Sequence, residues 1–125
     1  MPHSELARYS QIDYDREMTF IALREDDLQG PMLGEVRALC DPDNLRAEFA
    51  IQVAGASQGR GLGRLLLLKL LDHLRQRGTA EVLGECLSEN LRLQALARHL
   101  GFEVTPEEGG ELLRLRLQLA TEGSA

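Results

Sequence analysis

The hydrophobic and polar positions of this chain follow two periods, one typical of helices and one typical of strands. The clearest helical pattern runs from Arg64 to about Arg77, and five leucines recur along one side of it: Leu66, Leu67, Leu70, Leu71 and Leu74. Polar side chains fall on the opposite side: Lys69, Asp72, His73 and Gln76. Gly78 follows at the position of a C-cap. The pattern predicts a central helix with a leucine-rich core face.

Strand-like segments are predicted on both sides of this helix. Three precede it, and their short connections indicate an antiparallel meander: residues 16–23, 32–39 and 45–53. One follows it at residues 79–87, and a strand–helix–strand unit of this size favours parallel pairing of its two strands. At the N-terminus, residues 4–9 are predicted to form a short helix with Ser4 as its N-cap.

A second helix and a hairpin complete the predicted order of elements. Ser88 or Asn90 is expected to cap the helix, which runs to Leu100 and is closed by Gly101. The hairpin follows, with its two strands predicted at residues 102–105 and 111–119. The resulting fold class is α+β, with a mixed sheet.

Composition limits the class of protein. The 125 residues are 43% hydrophobic and carry a formal net charge of −6, with a pI near 5.0. This length predicts a single domain at residues 1–119, followed by a loose tail at residues 120–125. The hydrophobic fraction excludes a disordered chain, and the acidic balance argues against nucleic acid as a partner. The apolar run Leu65–Leu68 is far too short to span a membrane.

The cysteines and the N-terminus indicate the compartment. Cys40 and Cys86 fit reduced thiols better than a disulfide framework. The first residues show no secretory signal pattern of basic and then apolar residues. We therefore expect a cytoplasmic protein without a membrane partner.

The segment Gln58–Arg64, with the sequence QGRGLGR, lies between a predicted strand and the central helix. Backbone N–H groups at the start of a helix form an anion site, and phosphate is its usual ligand. The spacing excludes a dinucleotide fingerprint, because Arg64 stands three residues beyond Gly61. It also excludes a Walker A loop, which needs a Gly-Lys-Ser/Thr ending. What remains is the pattern Q-x-x-G-x-G.

This pattern resembles the acyl-CoA-binding loop of the GNAT acetyltransferase superfamily. The predicted order of elements and the sequence Leu100-Gly101-Phe102 at the end of the second helix are also similar to that superfamily. The resemblance implies a three-layer α/β fold whose mixed, mainly antiparallel sheet has helices on both faces. It implies acetyl-CoA as a co-substrate, with its pyrophosphate at the loop, and no metal.

Four segments are similar to the GNAT domain of bacterial Pat-type protein lysine acetyltransferases: Gln11–Met18, Arg46–Ala50, Gly59–Gly63 and Gly84-Glu85. That family acetylates a lysine of partner enzymes, notably acyl-CoA synthetases, and switches them off. Compared with the superfamily, a first strand and helix are expected to be missing. The strand near residues 17–23 would then be an exposed edge, and we expect a second copy of the chain to cover it as a homodimer.

Glu48 is the predicted general base. Transfer of an acetyl group to an amine needs the neutral amine, and a carboxylate can take its proton. Glu48 matches the glutamate that protein-acetylating relatives use, and we expect burial beside Phe49 and Ile51 to raise its pKa. The alternative is a half-buried structural glutamate that pairs with Arg46 or another arginine.

Further site residues follow from the same resemblance. Gln52 and Val53 are expected to pair with the pantetheine through the backbone, and Val53 to polarise the thioester carbonyl. Asn90 would contact the coenzyme or only cap the helix. The pyrophosphate is expected at the segment between the strand and the helix: Gln58, Gly59, Arg60, Gly61, Leu62, Gly63 and Arg64.

The general acid has no clear candidate. In many GNAT enzymes a tyrosine protonates the leaving thiolate. In this chain Ala97 stands at the position of that tyrosine. Three nearby residues could serve as the general acid instead: Cys86, Ser88 and His99. More usual roles for them are a buried thiol, a helix cap and a surface histidine.

Three functions remain open from the sequence. The first is acetyl transfer to a protein lysine, for example of an acyl-CoA synthetase. The second is the same chemistry on a small amine, because an acidic protein suits either cationic acceptor. The third is a non-catalytic acyl-CoA-binding or interaction module, which the missing first strand and helix would favour.

Overall fold

The computed structural model describes residues 8–14, 16–55 and 61–119. Four strands precede the first helix, which is followed by a strand, a second helix and two further strands. The helices are α1 (Leu62–Arg77) and α2 (Leu91–His99). The strands are β1 (Arg8–Tyr14), β2 (Glu17–Leu23), β3 (Gly34–Cys40), β4 (Arg46–Val53), β5 (Glu81–Leu87), β6 (Glu103–Pro106) and β7 (Leu112–Gln118). Neither described helix is long and apolar enough to cross a membrane.

The backbone divides into two compact units, and the boundary passes through β4 and α1. The first unit contains residues 1–39 and 50–73, and the second contains residues 40–49 and 74–125. Among the described residues, five strand pairs have a register; four of them are antiparallel and one, β4 with β5, is parallel. The predicted class, a mixed and mainly antiparallel sheet with helices, is therefore confirmed.

In the first unit, the predicted leucine face of α1 forms the core. Four of its five predicted members belong to this unit and are at most 1% exposed: Leu66, Leu67, Leu70 and Leu71. The fifth, Leu74, belongs to the second unit and is also fully buried. Gly34 at the start of β3 allows a close approach, because a Cβ there would lie 3.1 Å from Leu66 Cδ1 and 3.3 Å from Leu62 Cδ2. Farther along α1, His73 packs edge-on against Phe20 of β2, with 5.8 Å between the ring centroids.

The N-terminal strand corrects two predictions. Arg8 and Tyr9 belong to β1 rather than to a helix, and residues 4–7 lie outside the described residues. β1 pairs with β2 along its whole length, from Arg8↔Leu23 to Tyr14↔Glu17. The segment RYSQIDY has little alternation of polar and apolar residues, but antiparallel pairing with β2 gives it backbone partners. β2 is consequently no edge strand, so the reason for expecting a second copy of the chain there is lost.

In the second unit, β5 lies between β4 and β7. The predicted parallel pairing of β4 with β5 is confirmed, at Arg46↔Glu81, Ala47↔Val82 and Glu48↔Leu83. The predicted closing hairpin is confirmed as the antiparallel pair β6–β7. Phe49 packs on Phe102 with 5.6 Å between ring centroids.

The helix ends agree with the predicted caps. Gly78 and Gly101 adopt positive φ angles of 84° and 98°, which favour glycine, directly after α1 and near the end of α2. Asn44, in the β3–β4 turn, donates from Nδ2 to the carbonyl of Arg77 at 2.8 Å and accepts from Thr79 Oγ1 at 2.8 Å. The last turn of α1 is thereby tied to that turn.

A methyl group at Gly84 should destabilise the protein. A Cβ there would lie 2.5 Å from Phe49 Cε1, so the ring must move away from its contact with Phe102. We expect Gly84→Ala to lower the free energy of unfolding by about 1–3 kcal/mol, as overpacking usually does. Gly55→Ala is the matched control, because nothing lies within 4 Å of its added methyl group. Equal urea-unfolding midpoints for the two variants would contradict this account.

Candidate active site

The start of α1 forms the first part of the candidate site. Gly61 adopts a φ of 82°, and its carbonyl accepts the N–H of Leu65 at 3.1 Å. The helix begins at Leu62, so Leu62, Gly63 and Arg64 form its first turn rather than a loop. N–H groups at this position have no partner within a helix, and the first turn contains no acidic side chain to fill that role. This end of the helix suits an anion.

The residues of the predicted anion site have different environments. Leu62 is a core residue, only 1% exposed, whereas Gly63 is half-buried and Arg64 is exposed. Gln58, Gly59 and Arg60 lie outside the described residues. Leu62 therefore fixes where the helix starts, and its side chain is not available to a ligand.

Glu48 lies on β4, at the last position where that strand pairs with β5. Its neighbours Ala47 and Phe49 are buried, but Glu48 itself is exposed, because successive side chains of a strand point to opposite faces. The expected burial of this carboxylate is wrong. The alternative pairing is not observed either, since Arg46 donates from Nε to Glu81 Oε1 at 2.9 Å. Within the described part of the chain, the Glu48 carboxylate has no ion pair.

The end of β4 carries the two residues expected to bind pantetheine. Gln52 is exposed and Val53 is half-buried. The Gln52 carbonyl lies close to Gly34, 3.0 Å from the position a Cβ would take there. Directly after the strand, the N–H of Ala54 donates to the Leu33 carbonyl at 2.9 Å. The strand end is therefore held in place, and its predicted role toward the thioester stays a prediction.

Asn90 caps α2. Its Oδ1 accepts the N–H of Leu93 at 3.1 Å, and its backbone N–H donates to the Leu87 carbonyl at 2.9 Å. The capping role is confirmed, while the coenzyme contact stays a prediction. The cap uses one lone pair of Oδ1, and the side-chain NH₂ of Asn90 can donate to a ligand.

The substitutes for the missing tyrosine lie in ordinary structural positions. Burial raises the pKa of the Cys86 thiol, and nearby Arg98 offsets only part of this effect. A thiol in that state is a poor nucleophile, which argues against an acetyl–cysteine intermediate. Ala97 is fully buried, and His99 is exposed at the end of α2. The backbone of Ser88 donates to Glu111 and accepts from Gln94.

Sequence reasoning missed a charged network on the same unit as Glu48. Glu81, 9% exposed, accepts from Arg46 on β4 and from Arg116 on β7, and Arg116 also lies 3.8 Å from Glu103. The hydrogen bond from Arg116 is the largest cause of the lowered pKa of Glu81. Burial acts in the opposite direction, and the hydrogen bond from Arg46 lowers the pKa further. The alternating arginines of β7 are evident in the sequence, but the register of the strands decides which carboxylate they contact.

Comparison with known proteins identifies the family. Residues 1–102 match the model of the acetyltransferase (GNAT) family. Since this match covers most of the chain, the chain belongs to the GNAT family, as the glycine pattern and the Leu-Gly-Phe sequence predicted.

Two curated relatives are both named mycothiol acetyltransferase. The one from Beutenbergia cavernae is 41% identical over 81 residues, which cover 64% of this chain and 27% of the relative. The one from Kocuria rhizophila is 34% identical over 104 residues, which cover 82% of this chain and 30% of the relative. The chain thus spans less than a third of the length of these relatives.

Two solved structures share the fold. The yncA protein of Salmonella typhimurium, determined with its cofactor acetyl-CoA, is 27% identical with a TM-score of 0.69, over 82% of this chain and 65% of that one. The GNAT domain of S. lividans PAT has a TM-score of 0.72 at 23% identity, over 86% of this chain and 64% of that one. At this identity the second likeness shows the fold alone, so it supports the Pat-type resemblance only weakly.

Replacing Glu81 should make the free energy of unfolding less dependent on pH in the acidic range. Because the pKa of Glu81 is lowered, its carboxylate stabilises the folded state above the ordinary carboxyl pKa. This contribution to the free energy of unfolding is lost as the pH falls through the lowered pKa. We expect Glu81→Gln to cost about 1–2 kcal/mol at pH 7, with the difference from the parent shrinking below about pH 4. Urea unfolding across pH measures this effect. Glu103→Gln, at a side chain that is 70% exposed, should change little, and an equal loss for both variants would contradict the assignment.

Proposed function

We propose that this chain is an acetyl-CoA-dependent N-acetyltransferase domain in which Glu48 accepts the proton of the acceptor amine. The observation that carries the proposal is Glu48 itself, an exposed carboxylate without an ion pair in the described residues, at the end of the β4–β5 pairing. Membership of the GNAT family and the acetyl-CoA in the yncA structure support the choice of co-substrate.

The proposed reaction is direct transfer. The neutral amine nitrogen attacks the thioester carbonyl carbon, the C–S bond breaks, and the acetyl group forms an amide. Glu48 takes the amine proton, either directly or through water, and the coenzyme A thiolate leaves and takes a proton. Because Glu48 is exposed, water can reach it, and this favours a water-mediated route. A thiol has a pKa near 8.5, so the thiolate can leave without a dedicated acid.

The proposed coenzyme site uses the start of α1. Its N–H groups and the side chain of Arg64 supply positive charge to the pyrophosphate, and Gly61 and Gly63 leave room for close approach to the backbone. Gln58, Gly59 and Arg60 are proposed to complete this site. Asn90 would add its side-chain NH₂, and the backbone of Gln52 and Val53 would hold the pantetheine.

The acceptor is proposed to be an amine of one of two kinds. The two mycothiol acetyltransferases, at 41% and 34% identity, favour a small molecule. The sequence segments shared with Pat-type enzymes favour a lysine of a partner protein such as an acyl-CoA synthetase. Of the two, the relatives with higher identity support the small amine more directly.

Binding of acetyl-CoA should depend on Gly61. A side chain at its φ of 82° is strained, and Gly61 directly precedes the first turn of α1. We expect Gly61→Val to weaken binding in calorimetric titration at least about tenfold, a loss of about 1.4 kcal/mol. Gly109→Val is the matched control, because Gly109 has a similar φ of 90° but lies in the β6–β7 turn. Equal dissociation constants for both variants, or no binding by the parent, would contradict the coenzyme site.

Transfer should depend on Glu48 while binding does not. We expect Glu48→Gln to lower kcat about 10²- to 10⁴-fold, the usual contribution of a general base, with an unchanged dissociation constant for acetyl-CoA. Glu103→Gln serves as a control for loss of an exposed carboxylate. The assay measures coenzyme A release with a lysine-bearing acyl-CoA synthetase and, separately, with small primary amines.

The pattern of activity separates the alternatives. Turnover with one kind of acceptor alone assigns the substrate class. Normal acetyl-CoA binding without turnover on either kind would support the non-catalytic module. Unchanged turnover by the Glu48→Gln variant would remove Glu48 from the mechanism.

A further inference from the structure

The sheet face that carries Glu48 continues from β4 across the neighbouring strands of the second unit, β5 and β7. Residues that are partners in a strand register lie on the same face of a sheet. Leu83 of β5 is the partner of Glu48, and Arg116 of β7 is the partner of Leu83. Because side chains alternate along a strand, Glu85 follows Leu83 on this face. β5 thus presents a leucine and then a carboxylate next to the proposed base.

This face of β5 is open to solvent. Leu83 is half-buried and Glu85 is exposed, whereas the alternate side chains Val82 and Cys86 are buried in the core. An acceptor that approaches Glu48 from solvent therefore reaches Leu83 and Glu85 on the same side of the sheet.

Several charged groups of this face neutralise one another. Glu81 accepts hydrogen bonds from Arg46 and from Arg116, and Arg116 also lies 3.8 Å from Glu103. The network contains two arginines and two carboxylates, so its formal charge is zero. It leaves no positive charge for the other carboxylates of the face.

Glu85 and Glu48 are the carboxylates left over. Arg114 of β7 is the register partner of Glu85, but its Nε lies 3.6 Å from Glu107. This arginine therefore has two carboxylates near it and cannot neutralise both. In the part of the chain that the structure describes, no ion pair includes Glu48 or Glu85. The face around them is consequently negative and suits a ligand with more than one positive charge.

The spacing of the two carboxylates defines the length of such a ligand. Neighbouring strands are about 4.8 Å apart, and a strand rises about 3.3 Å per residue. Glu85 lies two residues beyond the partner of Glu48, so the two Cα atoms are about 8 Å apart. Leu83 lies between them. A chain of a few methylene groups can lie along Leu83 and place one nitrogen near each carboxylate.

We propose that Glu85 is a specificity-determining residue, which binds a second positive charge of the acceptor several carbon atoms from the amine that receives the acetyl group. Leu83 contacts the methylene groups between the two charges, and Glu48 takes the proton of the reacting amine. The acceptor class is then a dicationic amine, either an aliphatic diamine or a lysine beside another basic group. This inference rests on the proposed function, because it assigns the acceptor of the same reaction.

Two amines of equal chain length test the second charge. We expect the parent to use 1,5-diaminopentane with a KM about threefold to tenfold lower than that for 1-aminopentane, after correction for the two equivalent amines of the diamine. Glu85→Gln should raise the KM for the diamine to that for the monoamine and leave kcat unchanged, because the contact is the same in the ground state and the transition state. Glu85→Asp should retain the preference. Glu108→Gln, at an exposed carboxylate of the β6–β7 turn, is the matched control and should also retain it.

A pair of peptides separates the two sources of such an acceptor. One peptide carries an arginine beside its single lysine, and the other carries a glutamine there. A preference for the arginine peptide that Glu85→Gln abolishes would assign a protein lysine as the acceptor. The same result with the amine pair alone would assign a small diamine.

The parent provides a further measurement that needs no variant to fold. Its preference for the dicationic member of a pair should shrink as sodium chloride is added, because salt screens exposed charges. Equal KM values within both pairs, a preference that salt does not change, or a preference that Glu85→Gln retains would overturn the role of Glu85 and leave the transferase activity intact. Absence of coenzyme A release with every amine and peptide would contradict the activity itself, and the role of Glu85 with it.

Discussion

The close packing of α1 on β3 is the contact on which the candidate coenzyme site depends. Gly34 has no side chain, so Leu62 and Leu66 reach the backbone of the strand. Each fully buried leucine contributes about 1.5–3 kcal/mol, and Leu62 does so at the first position of the helix. The same residue that secures the core therefore fixes where the first-turn N–H groups of the helix begin. An anion site built on such an anchor needs little reorganisation to bind.

A second constraint is the alternation of β4. Ala47 and Phe49 point into the core, which leaves Glu48 on the exposed face between them. The strand thus presents a carboxylate to solvent from a rigid element rather than from a loop. Its pairing with β5 ends at this residue, so Glu48 lies at a transition in the backbone hydrogen bonding. Family membership and this position support the same function, although neither depends on the other.

The sequence predicted the features that are set locally. The leucine face of α1, the glycine caps, the Asn90 cap and the parallel β4–β5 unit all follow from short-range periodicity or from chain connectivity. The features it missed depend on which strand lies beside which. β1 was not recognised because its polar sequence gains order only by pairing with β2. Glu48 was expected to be buried because the face that each strand residue occupies is known only once the sheet is formed.

The Glu81 network has a consequence for the order of folding. Its two arginines lie 35 residues before it and 35 residues after it, so the network joins three distant parts of the chain through one carboxylate. Contacts of such sequence separation form only after most of the loop entropy has been lost. We therefore expect the network to be complete only once β4, β5 and β7 are paired. One carboxylate thus links Arg46 of β4 to Arg116 of β7 across β5.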